Sequence, residues 1–166
     1  MSYSLTRFVP GFTPEHLFDL VIDVERYPSF VPGWEAVRVS DRQDDRYRTE
    51  QVVRMKPFRQ RVHSQTSFRR PDLIEVTGRG DFLKRFDMRW SFLPQEGGCS
   101  VELEVEFGMA AKSLQRLVEQ LSRESSHSLI DAFVAEAERR YRDEMVAASG
   151  QAAPEVEGAA DGRKES

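Results

Sequence analysis

The sequence predicts an α+β fold in which a curved antiparallel sheet wraps around a long C-terminal helix, with two short helices near the N-terminus. Two observations support this prediction. Several consecutive segments alternate apolar and polar residues with a period of two, which is typical of strands with one buried and one solvated face. A long stretch before the C-terminal tail lacks proline and glycine, and its apolar residues recur at three- and four-residue steps, as in an amphipathic helix.

The N-terminal elements follow from turn and capping signals. Residues 3–9 alternate weakly and predict a short strand, closed by a Pro-Gly turn. Thr13 followed by Pro14 predicts the start of a short amphipathic helix with Thr13 as its N-cap. Residues 23–34 carry two prolines among aromatic and aliphatic side chains, and we expect a second short helical turn there.

Four strands and the long helix complete the predicted domain. The strands are expected at residues 46–55, 60–68, 85–92 and 101–107. The helix is expected from Ala110 to about Ala147, with its apolar stripe on the inner face of the sheet. Residues 1–148 would then form one folded domain. Residues 149–166 contain almost no large apolar side chain and predict a disordered tail.

Composition excludes several classes of protein. A chain of 166 residues has room for one domain with a tail. Its single cysteine, Cys99, cannot form an internal disulfide, and no Cys/His cluster has zinc-site spacing, so we expect a reducing compartment and no metal. No apolar stretch approaches the ~18–20 residues of a membrane span, so we expect a soluble protein.

Charge is unevenly distributed along the chain. The net charge is −4, yet residues 54–89 carry ten basic and four acidic side chains, a local charge of +6. This basic segment covers two of the predicted strands. It predicts a surface suited to an anionic partner.

Three segments of the chain carry recognisable motifs: LFDLVIDVERYPSFVPGW (17–34), FDMRWSFLP (86–94) and LIDAFVAEAERRY (129–141). The first is similar to the opening helix and DVExYPxFxP signature of the coenzyme Q-binding family of the START-like, helix-grip superfamily, which also contains the RatA ribosome-association toxins. The second resembles the L-x-x-x-W-x-F-x-P strand of that family, and the third resembles the end of its long helix. The resemblance implies a helix-grip fold enclosing an apolar tunnel.

The resemblance also implies a ligand, ubiquinone or a similar polyprenyl lipid, and no other cofactor. Side chains on the inward alternation of the strands and on the helix stripe are the candidates for lining its cavity. They are Gln51, Val53, Met55, Val62, Phe82, Phe86, Met88, Trp90, Leu117, Leu121, Ser125, Ser128 and Phe133. The two serines and Gln51 could donate hydrogen bonds to a carbonyl oxygen of the ligand. Alternatively, the serines bond back to the helix, and the apolar residues form an ordinary packed core.

The basic segment has two candidate partners. Its surface candidates are Arg54, Lys56, Phe58, Arg59, Arg61, Lys84, Arg85 and Arg89. Such residues suit an anionic membrane surface and the phosphates of ribosomal RNA equally well, or form a plain solvated face. A membrane surface as partner fits a protein that delivers ubiquinone to respiratory complexes. Such a protein would be cytoplasmic, or peripheral on the inner membrane. The second partner, ribosomal RNA, fits a RatA-like protein that binds the large ribosomal subunit and blocks subunit association.

Catalytic signals are sparse. The three histidines are scattered, and no phosphate-binding loop, HExxH or nucleophile elbow is present. We therefore expect a binding protein without catalytic residues and without affinity for DNA. A polyketide aromatase/cyclase pocket, which the same superfamily implies, is a weaker alternative because no acid–base pair is evident.

Overall fold

The structure, a computed structural model, describes residues 2–55, 58–81, 83–109 and 115–142, with the backbone alone at Met55, Phe58, Met109 and 115–125. The strands are β1 (Ser2–Pro10), β2 (Trp34–Ser40), β3 (Arg46–Met55), β4 (Phe58–Arg69), β5 (Leu73–Gly80), β6 (Leu83–Gln95) and β7 (Gly98–Met109). The helices are α1 (Pro14–Ile22), α2 (Tyr27–Phe30) and α3 (Gln115–Arg140), and a 3₁₀ turn at Val24–Arg26 joins the first two.

All strands pair antiparallel in one sheet of order β1-β7-β6-β5-β4-β3-β2. The chain from β2 to β7 is therefore a meander, and β1 pairs with the last strand of the meander. The curved sheet packs its inner face against α1 and α3, which confirms the predicted helix-grip architecture.

The four alternating segments lie in β3, β4, β6 and β7, with the predicted faces inward. Alternate residues of β7, for example Leu103 and Phe107, are buried, while the glutamates between them face outward. Strands β2 and β5 were not predicted. A bulge between Trp34 and Ala36 breaks the alternation of β2, and glycine occupies inward positions of β5.

At Gly78 of β5 a larger residue is excluded for steric reasons. A Cβ atom on Gly78 would lie 2.7 Å from the ring of Phe86 and 2.5 Å from the carbonyl oxygen of His63. The aromatic ring of the neighbouring strand thus fills the space that a side chain would need. The strand loses its alternation because β6 supplies the apolar group instead.

Helix α1 begins as predicted. The Thr13 hydroxyl accepts a hydrogen bond from the backbone N–H of His16 at 3.1 Å, and His16 Nδ1 accepts from the backbone N–H of Thr13 at 3.2 Å. The capping box thus satisfies two of the backbone N–H groups at the helix start that have no partner within the helix. Pro14 at the first helical position has no N–H to satisfy.

Helix α3 packs against an aromatic cluster on the inner side of the sheet. Phe133 lies with its ring centroid 5.1 Å from Tyr27, 5.6 Å from Phe30 and 5.6 Å from Trp90. The helix confirms the prediction over the described residues. The predicted extension to Ala147 and the predicted tail at 149–166 lie outside the described residues.

Candidate functional site

A cavity of about 470 Å³ lies between the inner face of the sheet and α3. Its wall is mostly aliphatic and aromatic, with contributions from all seven strands and from α1, α2 and α3. The apolar lining residues are Val21, Val24, Tyr27, Val31, Pro32, Trp34, Tyr47, Val53, Val62, Ile74, Val76, Leu83, Phe86, Met88, Trp90, Val105, Phe107 and Leu129. Gly33 and a few polar side chains complete the wall. The arrangement fits small-molecule sites, which are concave, apolar and marked by a few placed polar groups.

The structure brings most of the described candidates for cavity lining together. Those on the cavity wall are Gln51, Val53, Val62, Phe86, Met88, Trp90 and Ser128. The expected position of Phe133 on the wall was wrong, because its ring is buried in the aromatic cluster beside the cavity. Phe82 and the side chains of Met55, Leu117, Leu121 and Ser125 lie outside the described residues.

Ser128 borders the cavity as predicted, although the residue is exposed. Among the α3 side chains that the structure describes, the buried serine is Ser126, whose hydroxyl shares a hydrogen bond of 2.6 Å with the Tyr3 hydroxyl of β1. Sequence analysis did not select either of these residues. Their pairing places two hydroxyl groups on the cavity wall at the side of β1.

A second polar group lies on the β2–β3 side of the cavity. The indole N–H of Trp34 donates to Oε1 of Gln51 at 2.6 Å. Gln51 Nε2 then donates to the hydroxyl of Thr49 at 2.8 Å, and Thr49 shares a hydrogen bond of 2.5 Å with Ser64. These side chains form a connected network across three strands, with Trp34 and Gln51 at the cavity.

Two tyrosines of the wall are held by the backbone at the end of α1. Tyr27 donates to the carbonyl of Val21, and Tyr47 donates to the carbonyl of Ile22 at 2.9 Å. Burial raises the pKa of Tyr47 to about 12 and that of Tyr27 well above its usual value. Both phenols are therefore neutral at pH 7, and the end of α1 is joined to β3 by Tyr47 and to α2 by Tyr27.

The described histidines and the cysteine lie away from the cavity wall. His16 belongs to the capping box, and His63 faces outward, 3.6 Å from Glu50. His127 is exposed. Cys99 is fully buried, and burial raises the pKa of its thiol to about 11, so it is protonated at neutral pH. Among the described residues, no group of acidic, histidine and cysteine side chains is arranged to hold a metal ion.

The basic candidates fall into two groups on the outer face of the sheet. Arg54 and Arg59, directly opposed on β3 and β4, both bind Glu35, at 2.7 and 2.8 Å. These arginines lower the pKa of Glu35, which stays ionised between them. Arg61 and Arg79 lie further along the same face and are exposed.

The second basic group, on β6, lies among carboxylates. Arg85 pairs with Asp87 at 3.0 Å, and Arg89 lies 3.8 Å from Glu75 and opposite Glu104 of β7. Lys84 is exposed at the start of the strand. Lys56 and the side chain of Phe58 lie outside the described residues. The outer face is thus basic on the side of β3 and β4 and acidic on the side of β7.

Comparisons with known proteins agree with this architecture. A family model for polyketide cyclase/dehydrase and lipid transport proteins matches residues 11–134. The chain is 25% identical over 140 residues to the ribosome association toxin RatA of Rickettsia prowazekii, covering 80% of this chain and 93% of that protein. An 18 kDa protein from Caulobacter crescentus has 26% identity and a TM-score of 0.72, covering 85% of this chain and 98% of that one.

The aromatase/cyclase Zhui from Streptomyces sp. R1128 has the same fold. It superposes with a TM-score of 0.78 at 15% identity, covering 84% of this chain and 94% of that chain. At this identity the likeness concerns the fold alone. None of the described helices has the length and hydropathy that crossing a bilayer requires.

A curved antiparallel sheet that grips a C-terminal helix around an apolar cavity defines the START-like class of helix-grip proteins. This chain belongs to the polyketide cyclase/dehydrase and lipid transport family. The family includes cyclase enzymes as well as binding proteins, and the cavity suits a hydrophobic ligand.

Proposed function

We propose that the protein binds a polyprenyl quinone of the ubiquinone type in its cavity and carries it without chemical conversion to the respiratory chain. The observation that supports this most directly is the cavity itself. Its volume of about 470 Å³ falls within the ~300–1,000 Å³ of small-molecule sites, and its few polar groups stand on an otherwise apolar wall. A ring with carbonyl oxygens and an apolar tail matches that distribution.

Size limits how much of such a ligand is enclosed. Burying one isoprene unit, with about five carbons, contributes about 4 kcal/mol. The head and the first isoprene units would fill the cavity, and a longer tail would extend outside it. A protein with this cavity could therefore lower the cost of moving a quinone through water, while the remaining tail stays in a bilayer or on the protein surface.

The two tryptophans of the chain give a direct assay, because Trp34 and Trp90 both line the cavity. Titration with decylubiquinone should quench their fluorescence in a saturable manner, with about one quinone bound per chain. A matched titration with decane, which has no quinone ring, would show how much of the fluorescence change comes merely from an apolar molecule filling the cavity. Linear quenching equal to that of free tryptophan in solution would contradict quinone binding.

A second candidate function is binding to the large ribosomal subunit with inhibition of subunit association. Two observations favour it: similarity to proteins named ribosome association toxin RatA, and the exposed basic side of the outer face. Arginines on this face could contact phosphates, in which case binding weakens as salt concentration rises.

A charge-reversal pair tests the ribosomal candidate. Arg61→Glu combined with Arg79→Glu should weaken binding to purified large subunits in a pelleting assay. Arg89→Glu is the matched control because Arg89 lies among carboxylates on the acidic side. Equal binding by all three proteins, or sucrose-gradient profiles unaffected by overexpression, would rule this function out.

A further inference from the structure

The side-chain amide of Gln51 has an orientation that chemistry alone determines. Trp34 Nε1 carries a hydrogen and cannot accept a hydrogen bond, so the Gln51 atom 2.6 Å from it must be the oxygen Oε1. The nitrogen Nε2 therefore lies on the opposite side of the amide. There it donates one of its two hydrogens to Thr49 at 2.8 Å.

The second N–H of this amide has no partner among the residues that the structure describes. Gln51 is half-buried and borders the cavity. Leaving a partly buried donor without a partner costs free energy, so a ligand that accepts a hydrogen bond at this point gains over one that cannot. Turning the amide over would set its N–H groups against the indole N–H of Trp34, two donors facing each other. This unfavourable contact keeps Nε2 in its observed position.

We propose that Gln51, held by Trp34 and Thr49, is the residue that makes the cavity selective for apolar ligands bearing a carbonyl oxygen. Gln51 donates to that oxygen, and Trp34 acts as a positioning residue that prevents the amide from turning. This inference rests on the proposed function, because it assigns a ligand class to the same cavity. It extends that function by excluding pure hydrocarbons as preferred ligands.

The test compares two probes that differ by one carbonyl group, hexanophenone and hexylbenzene. Their affinities are measured by equilibrium dialysis against the wild-type protein and against Gln51→Leu. The ratio of the two affinities cancels most differences in apolar burial. We expect the preference for the ketone, relative to the hydrocarbon, to be about three- to tenfold lower in Gln51→Leu than in the wild type. Hexylbenzene itself should bind both proteins with similar affinity.

Further variants separate the proposed role from damage to the fold. Gln51→Glu keeps the size of the side chain and its bond from Trp34, but an ionised carboxylate has no N–H, so the ketone preference should fall at least as far as in Gln51→Leu. Trp34→Phe leaves the amide free to turn and should lower the preference to an intermediate value. Gln65→Leu, on the outward side of β4, is the matched control and should leave the ratio unchanged.

The outcomes distinguish the two proposals. If both probes bind and the ratio is the same in the wild type, Gln51→Leu and Gln51→Glu, the assignment of Gln51 is refuted while the cavity still functions as an apolar site. If neither probe nor decylubiquinone binds the wild-type protein, the proposed function fails and the role of Gln51 fails with it.

Discussion

Filling the cavity should abolish quinone binding without unfolding the protein. Val53 and Val52 are neighbours on β3 whose side chains point to opposite faces: Val53 lines the cavity, and Val52 lies opposite Arg61 on the outer face. Val53→Phe adds about four carbon atoms to the cavity wall and displaces a similar part of the ligand. Val52→Phe makes the same change outside the cavity and serves as the control.

The magnitude follows from the apolar contacts that the ligand loses. About four displaced carbons at about 0.8 kcal/mol each correspond to about 3 kcal/mol, or more than a hundredfold in affinity. Overpacking a filled core costs about 1–3 kcal/mol, but a cavity of about 470 Å³ accepts the ring, so we expect a change in unfolding free energy below about 1 kcal/mol.

The assay is tryptophan fluorescence with decylubiquinone, combined with urea unfolding of each variant. Val53→Phe should lose saturable quenching while its unfolding midpoint stays near that of the wild type. Val52→Phe should bind as the wild type does. If both variants bind decylubiquinone with wild-type affinity, the ligand does not occupy this cavity.

Three further predictions concern stability and reactivity. Glu136 is buried and binds Arg139 at 2.5 Å and Arg140 at 3.1 Å. These bonds, chiefly that of Arg139, lower the pKa of Glu136. The stabilisation that Glu136 gives to the folded state is therefore present above about pH 4.5 and is lost on acidification. Glu136→Gln should therefore cost about 1.5–3 kcal/mol at pH 7 and flatten the acid limb of a melting-temperature profile, whereas an unchanged limb would contradict the assignment. Thr13→Ala should lower the unfolding free energy by about 1 kcal/mol in urea titrations, and no loss would mean that the cap is dispensable. Cys99 should react with iodoacetamide only under denaturing conditions, and rapid labelling of the native protein would contradict its burial.

Much of the fold was predictable because period-two alternation is a local property of the chain. Strands β3, β4, β6 and β7 each place a continuous apolar or small-polar row inward, and the register of the sheet leaves that row intact. Strands β2 and β5 were missed for a non-local reason. The bulge at Trp34 and the space taken at Gly78 by Phe86 depend on neighbouring strands.

The candidate site was predictable to a smaller extent. The inward alternation identified Gln51, but its partner Trp34 lies on a strand that the sequence pattern did not reveal. On α3 the apolar stripe predicted Ser128 at the cavity, where it lies, but it did not identify the buried Ser126 and Glu136. The ion pairs of Glu136 allow a charged residue on the buried side of the helix, and hydropathy patterns cannot anticipate such a residue.

The most direct test of the central claim is mass spectrometry of small molecules extracted from the protein after purification without detergent. The wild-type protein should carry a polyprenyl quinone at a substantial fraction of one molecule per chain, and Val53→Phe, purified in parallel, should carry almost none. Extraction of no apolar compound from either protein, together with no saturable quenching by added decylubiquinone, would contradict the account.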